Sequence, residues 1–225
     1  MATISVSGIR KGYRGKQVLR DVSFTAQNGD CIGVIGGNGT GKSTLLRTLA
    51  GVIRADDGQF LWNEHDLLRD DVRREAFVGY VPQGTPLLQE LTARDNLRLW
   101  YDRKTMEQSL DDGVLKLLGI DRFLKTPVSK MSGGMKKRLS IGCAVAHDPR
   151  ILLLDEPSAA LDLVCREQIL QYLQTFRKRG GVVIFSTHDV QEINICSALY
   201  LLRDGISQPY DYTGGVQQLV EDLQK

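Results

Sequence analysis

The segment Gly36-Gly37-Asn38-Gly39-Thr40-Gly41-Lys42-Ser43-Thr44 restricts the fold more than any other stretch of the chain. It follows an apolar run, Cys31-Ile32-Gly33-Val34-Ile35, that reads as a buried strand. It precedes Leu45, Leu46 and Leu49, which recur at helical spacing. A strand that turns through glycines into a helix aims backbone N–H groups and the positive end of the helix dipole into one concavity, a cradle for phosphate oxygens. The Gly-x4-Gly-Lys-Ser pattern in this setting predicts that the loop binds ATP, with Lys42 reaching the β- and γ-phosphates and Ser43 ligating Mg²⁺.

The rest of the chain supplies the sheet that such a loop needs. Thr3 to Ile9 and Val18 to Ala26 alternate like half-buried strands, with Val22, Phe24 and Ala26 on one face, and Asn28-Gly29-Asp30 marks a turn. Gly51 suits the C-terminal end of the helix after the glycine loop. Gln59 to Trp62 and Phe77 to Val81 read as strands. The character changes to helix between about Leu91 and Leu118, a candidate small helical subdomain with Asn96, Leu97, Trp100 and Tyr101 spaced around turns. Another helix is expected from Ser132 to His147, stopped by Asp148-Pro149. The apolar strands Ile151–Leu154 and Gly181–Phe185 alternate with helices, which predicts a mostly parallel central sheet. The last helix is expected at Val216 to Leu223.

At the end of Ile151–Leu154 stand Asp155 and Glu156, two carboxylates delivered beside the phosphate loop of a doubly wound sheet. There Asp155 would hold Mg²⁺ and Glu156 would polarise or deprotonate the attacking water.

Composition excludes several classes. The 29 basic and 27 acidic residues are too evenly balanced to imply a nucleic-acid surface, and no nucleic acid is expected as a partner. The runs Lys136-Lys137-Arg138 and Arg177-Lys178-Arg179 read as solvated helix faces. Cys31, Cys143, Cys165 and Cys196 form no CxxC pair, so neither zinc nor a disulfide framework is indicated, and a reducing cytosol fits. Met1 to Arg10 lacks the pattern of a signal peptide, and no apolar run approaches the ~20 residues that cross a bilayer.

The phosphate loop and paired carboxylates are common to many ATPases and kinases. Ser132-Gly133-Gly134-Met135 narrows the choice. With Gln83 upstream, Ser158-Ala159-Ala160-Leu161-Asp162 downstream and His188 at the end of a strand, the chain resembles the nucleotide-binding domain of ABC ATPases over nearly its whole length. The resemblance implies an α/β P-loop NTPase fold with a mostly parallel central sheet, an N-terminal antiparallel β-subdomain and a small α-helical subdomain. Residues 1–225 would form one cassette, with the helical part at about 88–140. It also implies that Gln83 ligates Mg²⁺ and contacts the attacking water. Met131 to Met135 match the family signature that cradles the γ-phosphate of the opposite subunit. Asp162 matches the aspartate that couples the two sites, His188 the histidine that contacts the γ-phosphate, and Tyr13 the aromatic that stacks on adenine.

Two positions depart from the family pattern. Met131 replaces leucine, a volume-conserving change, and Met135 replaces a glutamine whose amide could bond near the opposite nucleotide. Methionine at that position is familiar among ABC-2 type and drug-resistance exporters. The expected function is the ATP-hydrolysing subunit of an ABC transporter, most similar to those exporters. It would work as a homodimer or heterodimer of cassettes around two ATP molecules, at the cytoplasmic face of the membrane, with a separate transmembrane permease. A soluble ABC ATPase acting on nucleic acid or the ribosome, and a P-loop kinase, are the rival readings.

Overall fold

The computed structural model describes residues 3–159 and 161–224, so Ala160 of the Ser158–Asp162 motif lies outside the described residues. Strands β1 (Thr3–Tyr13) and β2 (Lys16–Gln27) pair antiparallel, and Val22, Phe24 and Ala26 are buried on one face as their alternation requires. β3 (Cys31–Ile35) leads through the glycine loop into α1 (Lys42–Leu49), and Gly51 takes the left-handed conformation just past that helix. β4 (Asp57–Trp62) adds antiparallel to β1, and β5 (His65–Asp66) to β4. The chain continues through α2 (Asp71–Phe77), β6 (Val78–Val81), α3 (Ala93–Leu97), α4 (Arg103–Asp112), α5 (Val114–Leu117) and α6 (Gly133–Ala144). It ends with β7 (Ile151–Asp155), α7 (Leu163–Lys178), β8 (Val182–Ser186), α8 (Val190–Asn194), β9 (Ala198–Arg203), β10 (Ile206–Pro209) and α9 (Val216–Gln224).

The sheet order is β5-β4-β1-β2-β10-β9-β3-β8-β7-β6. From β9 to β6 every neighbour is parallel, while β1, β2, β4 and β5 form an antiparallel wing joined to the rest by the β2–β10 contact at Asp21 and Ile206. The central strands are apolar at nearly every position because both faces are covered. Leu152, Leu154, Val183 and Phe185 point into a core built with α3, α6 and α7. Ile151, Leu153, Val182 and Ile184 point into a second core shared with β1, β2 and α1.

One expectation is refined and two are corrected. The helical character expected between Leu91 and Leu118 takes the form of three short helices. Thr92 caps α3, Asp102 caps α4, and Gly113 interrupts the chain before α5. Tyr101, between two of them, is buried and donates its hydroxyl to the Gly142 carbonyl at 2.9 Å. The apolar spacing marked the buried face but carried no information about these breaks. The helix from Ser132 stops at Ala144, before His147, and Asp148 takes a left-handed φ of 51°.

The basic runs are solvated only in part: Lys178 and Arg179 are exposed, whereas three other cations are turned inward. Lys137 is buried and donates to the carbonyls of Pro82 and Gln83, while buried Arg138 donates to Gly134 O, Leu118 O and Gln168 Oε1. Half-buried Arg177 bonds Gly29 O, Ile195 O and Ser197 Oγ. These cations bond carbonyls of loops and helix ends, among them those of Pro82, Leu118, Gly29 and Ile195.

Candidate nucleotide site

Four neighbouring parallel strands, β3, β8, β7 and β6, end at the same edge of the sheet, and each delivers part of the site. The segment Gly36–Thr44 leaves β3, His188 follows β8, Asp155 and Glu156 end β7, and Gln83 follows β6. Ligands of doubly wound sheets sit beyond this edge.

The glycine loop is tight by necessity. Gly41, at the cap of α1, has φ 110°, and a Cβ there would stand 2.9 Å from Leu19 Cδ2. A Cβ on Gly36 would lie 2.5 Å from the Leu202 carbonyl oxygen. Asn38, Gly39 and Ser43 are exposed, and Thr40 closes the turn by donating to Gly37 O at 3.0 Å. Thr44 lies on α1, its carbonyl accepting from Thr48. Lys42 is buried and its Nζ donates to Gly36 O at 2.7 Å and Gly37 O at 3.0 Å. Burial lowers its pKa, and the nearby carboxylates of Glu156 and Asp155 oppose that shift.

The Asp155 carboxylate and the Glu156 backbone are held through one hydroxyl to which the sequence alone assigns no role. Ser186, fully buried at the end of β8, donates to Asp155 Oδ1 at 2.6 Å and accepts from the Glu156 N–H at 3.0 Å. Its only sequence signal is a polar residue closing the apolar run Val182–Phe185. Glu156 itself has φ 48°, a strained conformation for a non-glycine residue. That backbone turn sends its side chain between Gln83 and His188: Gln83 Nε2 donates to Oε2 at 2.9 Å, and His188 Nε2 stands 3.5 Å from Oε1.

Desolvation and then Lys42 lower the His188 pKa below 6.5, with Glu156 opposing, so at pH 7 the contact is one of a neutral imidazole with a carboxylate and not an ion pair. Behind His188, Thr187 donates to Glu192, whose pKa burial raises, and accepts from the Asp189 N–H at 2.9 Å. Glu192 carries no local sequence signal, and Lys137, which donates to the carbonyl of Gln83, stands in a run that reads as a solvated face.

Ser43, Gln83 and Asp155 line one cavity of about 1070 Å³. The signature lies elsewhere. Ser132 caps α6, its Oγ accepting from Met135 N–H at 3.2 Å, and Asp162 caps α7 by accepting from Cys165 N–H at 2.9 Å. The two helix starts abut closely: a Cβ on Gly134 would be 2.4 Å from Cys165 Sγ. Gly133 is exposed, Met135 half-buried against the core, and Met131 buried in it. Among the described residues no hydrogen bond or ion pair joins Ser132–Met135 or Asp162 to the glycine loop of the same chain. Tyr13 is exposed at the end of β1, with Lys11 Nζ 5.4 Å from its ring centroid.

A phosphate-binding loop, a buried carboxylate and a glutamate set between an amide and an imidazole define a nucleoside-triphosphate hydrolase of the P-loop class. The model of the ABC transporter family matches residues 19–159, and the chain belongs to that family as an ATP-hydrolysing cassette. It is 30% identical over 207 residues to the linearmycin resistance ATP-binding protein LnrL of Bacillus subtilis, covering 90% of this chain and 67% of that protein. It is 33% identical over 208 residues to the Nod factor export ATP-binding protein I of Bradyrhizobium diazoefficiens, covering 90% and 68%. The fold superposes with a TM-score of 0.82 on a dimeric ATP-binding cassette in a post-hydrolysis state bound to ADP and phosphate, at 24% identity and covering 94% of this chain and 100% of that one.

Proposed function

We propose that this chain is the energy-supplying subunit of an exporter, in which two cassettes close head to tail on two ATP molecules and drive a separate permease. The observation that carries the reading is the separation of two half-sites on one chain. The loop, Asp155, Glu156, Gln83 and His188 converge at one sheet edge, while the exposed Ser132 and Gly133 stand apart at the start of α6. A two-fold axis brings the signature of one copy, identical or paralogous, to the loop of the other. The names of the two relatives, linearmycin resistance and Nod factor export, support export.

The residues fit Mg²⁺. Ser43, Gln83 and Asp155 face one cavity and supply oxygen ligands, and among the described residues no group of three or more His, Cys, Asp or Glu forms a closed metal cage. Mg²⁺ favours such sparse protein ligation completed by phosphate and water. When bound it would offset the charge of the phosphates. Glu156 takes the proton of the attacking water, Gln83 and His188 hold Glu156 in place, Lys42 and Thr44 hold phosphate, and Tyr13 stacks on adenine.

The same cavity supports docking of the permease. Leu88, Leu99, Trp100 and Val52 expose apolar surface along it, beside Gln83. Among the described residues no helix is long and apolar enough to cross a membrane; in this reading a separate permease supplies the span, and the cassette sits on its cytoplasmic face. No nucleic-acid partner belongs to the reading, since Lys137 and Arg138 are bonded internally.

Glu156→Gln tests the assignment. It should abolish phosphate release and leave an ATP-bound dimer detectable by light scattering. Substantial remaining hydrolysis would remove Glu156 as the base, and a monomer at saturating ATP would remove the dimer.

A further inference from the structure

Gly37 differs from the other glycines of the loop. Its φ is not left-handed, so an alanine there meets no backbone objection. What crowds a side chain is α9: an ideal Cβ on Gly37 would lie 3.1 Å from the carbonyl oxygen of Leu223, so that the helix end must give by a few tenths of an ångström, and only in ordinary contact, 3.8 Å, with Thr40 Cγ2. The end of the last helix therefore rests on the Cα of a residue whose own carbonyl binds Lys42 and Thr40.

The helix is fixed there from three sides. Leu219 is 3% exposed, wedged in a small core with Ile35, which ends β3 immediately before the loop, and with Ile193, Leu199 and Leu201. Arg203, next to the Leu202 carbonyl that crowds Gly36, donates to Asp222 O. Tyr210 Oη donates to Asp222 Oδ2 at 3.1 Å. The contact with Gly37 is thus held by buried apolar surface and by two bonds converging on Asp222.

We propose that α9 is a positioning element of the nucleotide site: Leu219 and the bonds at Asp222 press the Leu223 carbonyl onto Gly37 and so set the loop segment that holds Lys42. The inference rests on the reading of the glycine loop as the ATP phosphate cradle. Residues Leu219, Tyr210, Asp222 and Leu223 touch no nucleotide in it. They act through the backbone of Gly36 and Gly37.

The test is a double-mutant cycle on the full chain, read by the affinity for a fluorescent ATP analogue. Leu219→Ala, which loosens the seat of α9, should weaken binding about tenfold, a factor equal to 1.4 kcal/mol. Gly37→Ala should weaken it comparably, through its conflict with Leu223. In the double variant the losses should not add, because a loosened helix moves away from the new Cβ. Tyr210→Phe, which removes one hydroxyl and keeps the ring, should give a smaller loss in affinity with kcat at saturating ATP unchanged.

Additive losses for Gly37→Ala and Leu219→Ala in folded protein would show that Leu219 does not act through the contact at Gly37 and would overturn the proposal. Unchanged affinity in Gly37→Ala would overturn it as well. If Leu219→Ala fails to fold, the cycle of Gly37→Ala with Tyr210→Phe decides by the same criterion. A wild-type chain that binds no ATP analogue would defeat the phosphate-cradle reading itself, whereas wild-type binding with additive losses defeats only the role of α9.

Discussion

Replacing Ser186 by alanine is expected to weaken the whole catalytic edge of the sheet, and the structure sets the size of the effect. The hydroxyl is fully buried and makes two bonds, donating to Asp155 Oδ1 at 2.6 Å and accepting from Glu156 N–H at 3.0 Å. A hydrogen bond to a carboxylate contributes about 1.5–3 kcal/mol. The second loss is partial, because the Glu156 N–H also reaches the Ser186 carbonyl at 3.2 Å. The total is about 2–3 kcal/mol, which in a chain of this size lowers the melting temperature by roughly 4–12 °C. Differential scanning calorimetry measures that shift, and a phosphate-release assay on the folded variant should show a lower kcat, since the Asp155 carboxylate and the Glu156 backbone lose their common anchor. Thr175→Ala on the exposed face of α7 serves as the control and should stay within about 0.5 kcal/mol of wild type. A Ser186→Ala variant that melts within about 1 °C of wild type would refute the claim that this hydroxyl holds the edge together.

Gly134→Ala should destabilise by about 1–3 kcal/mol, because its Cβ would lie 2.4 Å from Cys165 Sγ. Cys165→Ala in the same chain should recover part of the loss in thermal denaturation, and no recovery would argue against this contact. Lys137→Met keeps the buried stem but leaves the carbonyls of Pro82 and Gln83 without the ammonium, so hydrogen exchange should quicken in the loop after β6 and hydrolysis should fall. Exchange there equal to wild type would dissociate Lys137 from the loop. His188 should titrate below 6.5 by imidazole NMR, since desolvation and Lys42 disfavour its protonated form in the fold. Its contribution to stability is then present above pH 6.5 and is lost as the pH falls through the lower folded midpoint; a midpoint at or above 6.5 contradicts the assignment.

The sequence made the catalytic edge legible because chemistry there is written locally. Gly36 to Thr44, Asp155-Glu156 and His188 each follow an apolar run, and β3, β7 and β8 are buried on both faces, so their strand character needed no tertiary information. Tertiary partners decided the rest. The breaks at Asp102 and Gly113 were hidden because Tyr101, reaching back to Gly142, keeps an apolar spacing across them. Lys137 and Arg138 look like surface residues until the loop at Pro82 and the chain at Leu118 are placed against them. The site residues beyond the loop, such as Ser186 and Glu192, owe their importance to strands and helices that meet only in the fold.

The left-handed backbone at Glu156 sets a trade between endurance and turnover. Asparagine or glycine would sit there with less strain, a gain of about 1 kcal/mol. A search for heat-resistant variants should therefore return substitutions at this position, and each would discard the carboxylate that Gln83 and His188 hold. With Glu156 as the proposed base, selection for stability alone would drift toward cassettes that last longer and hydrolyse nothing.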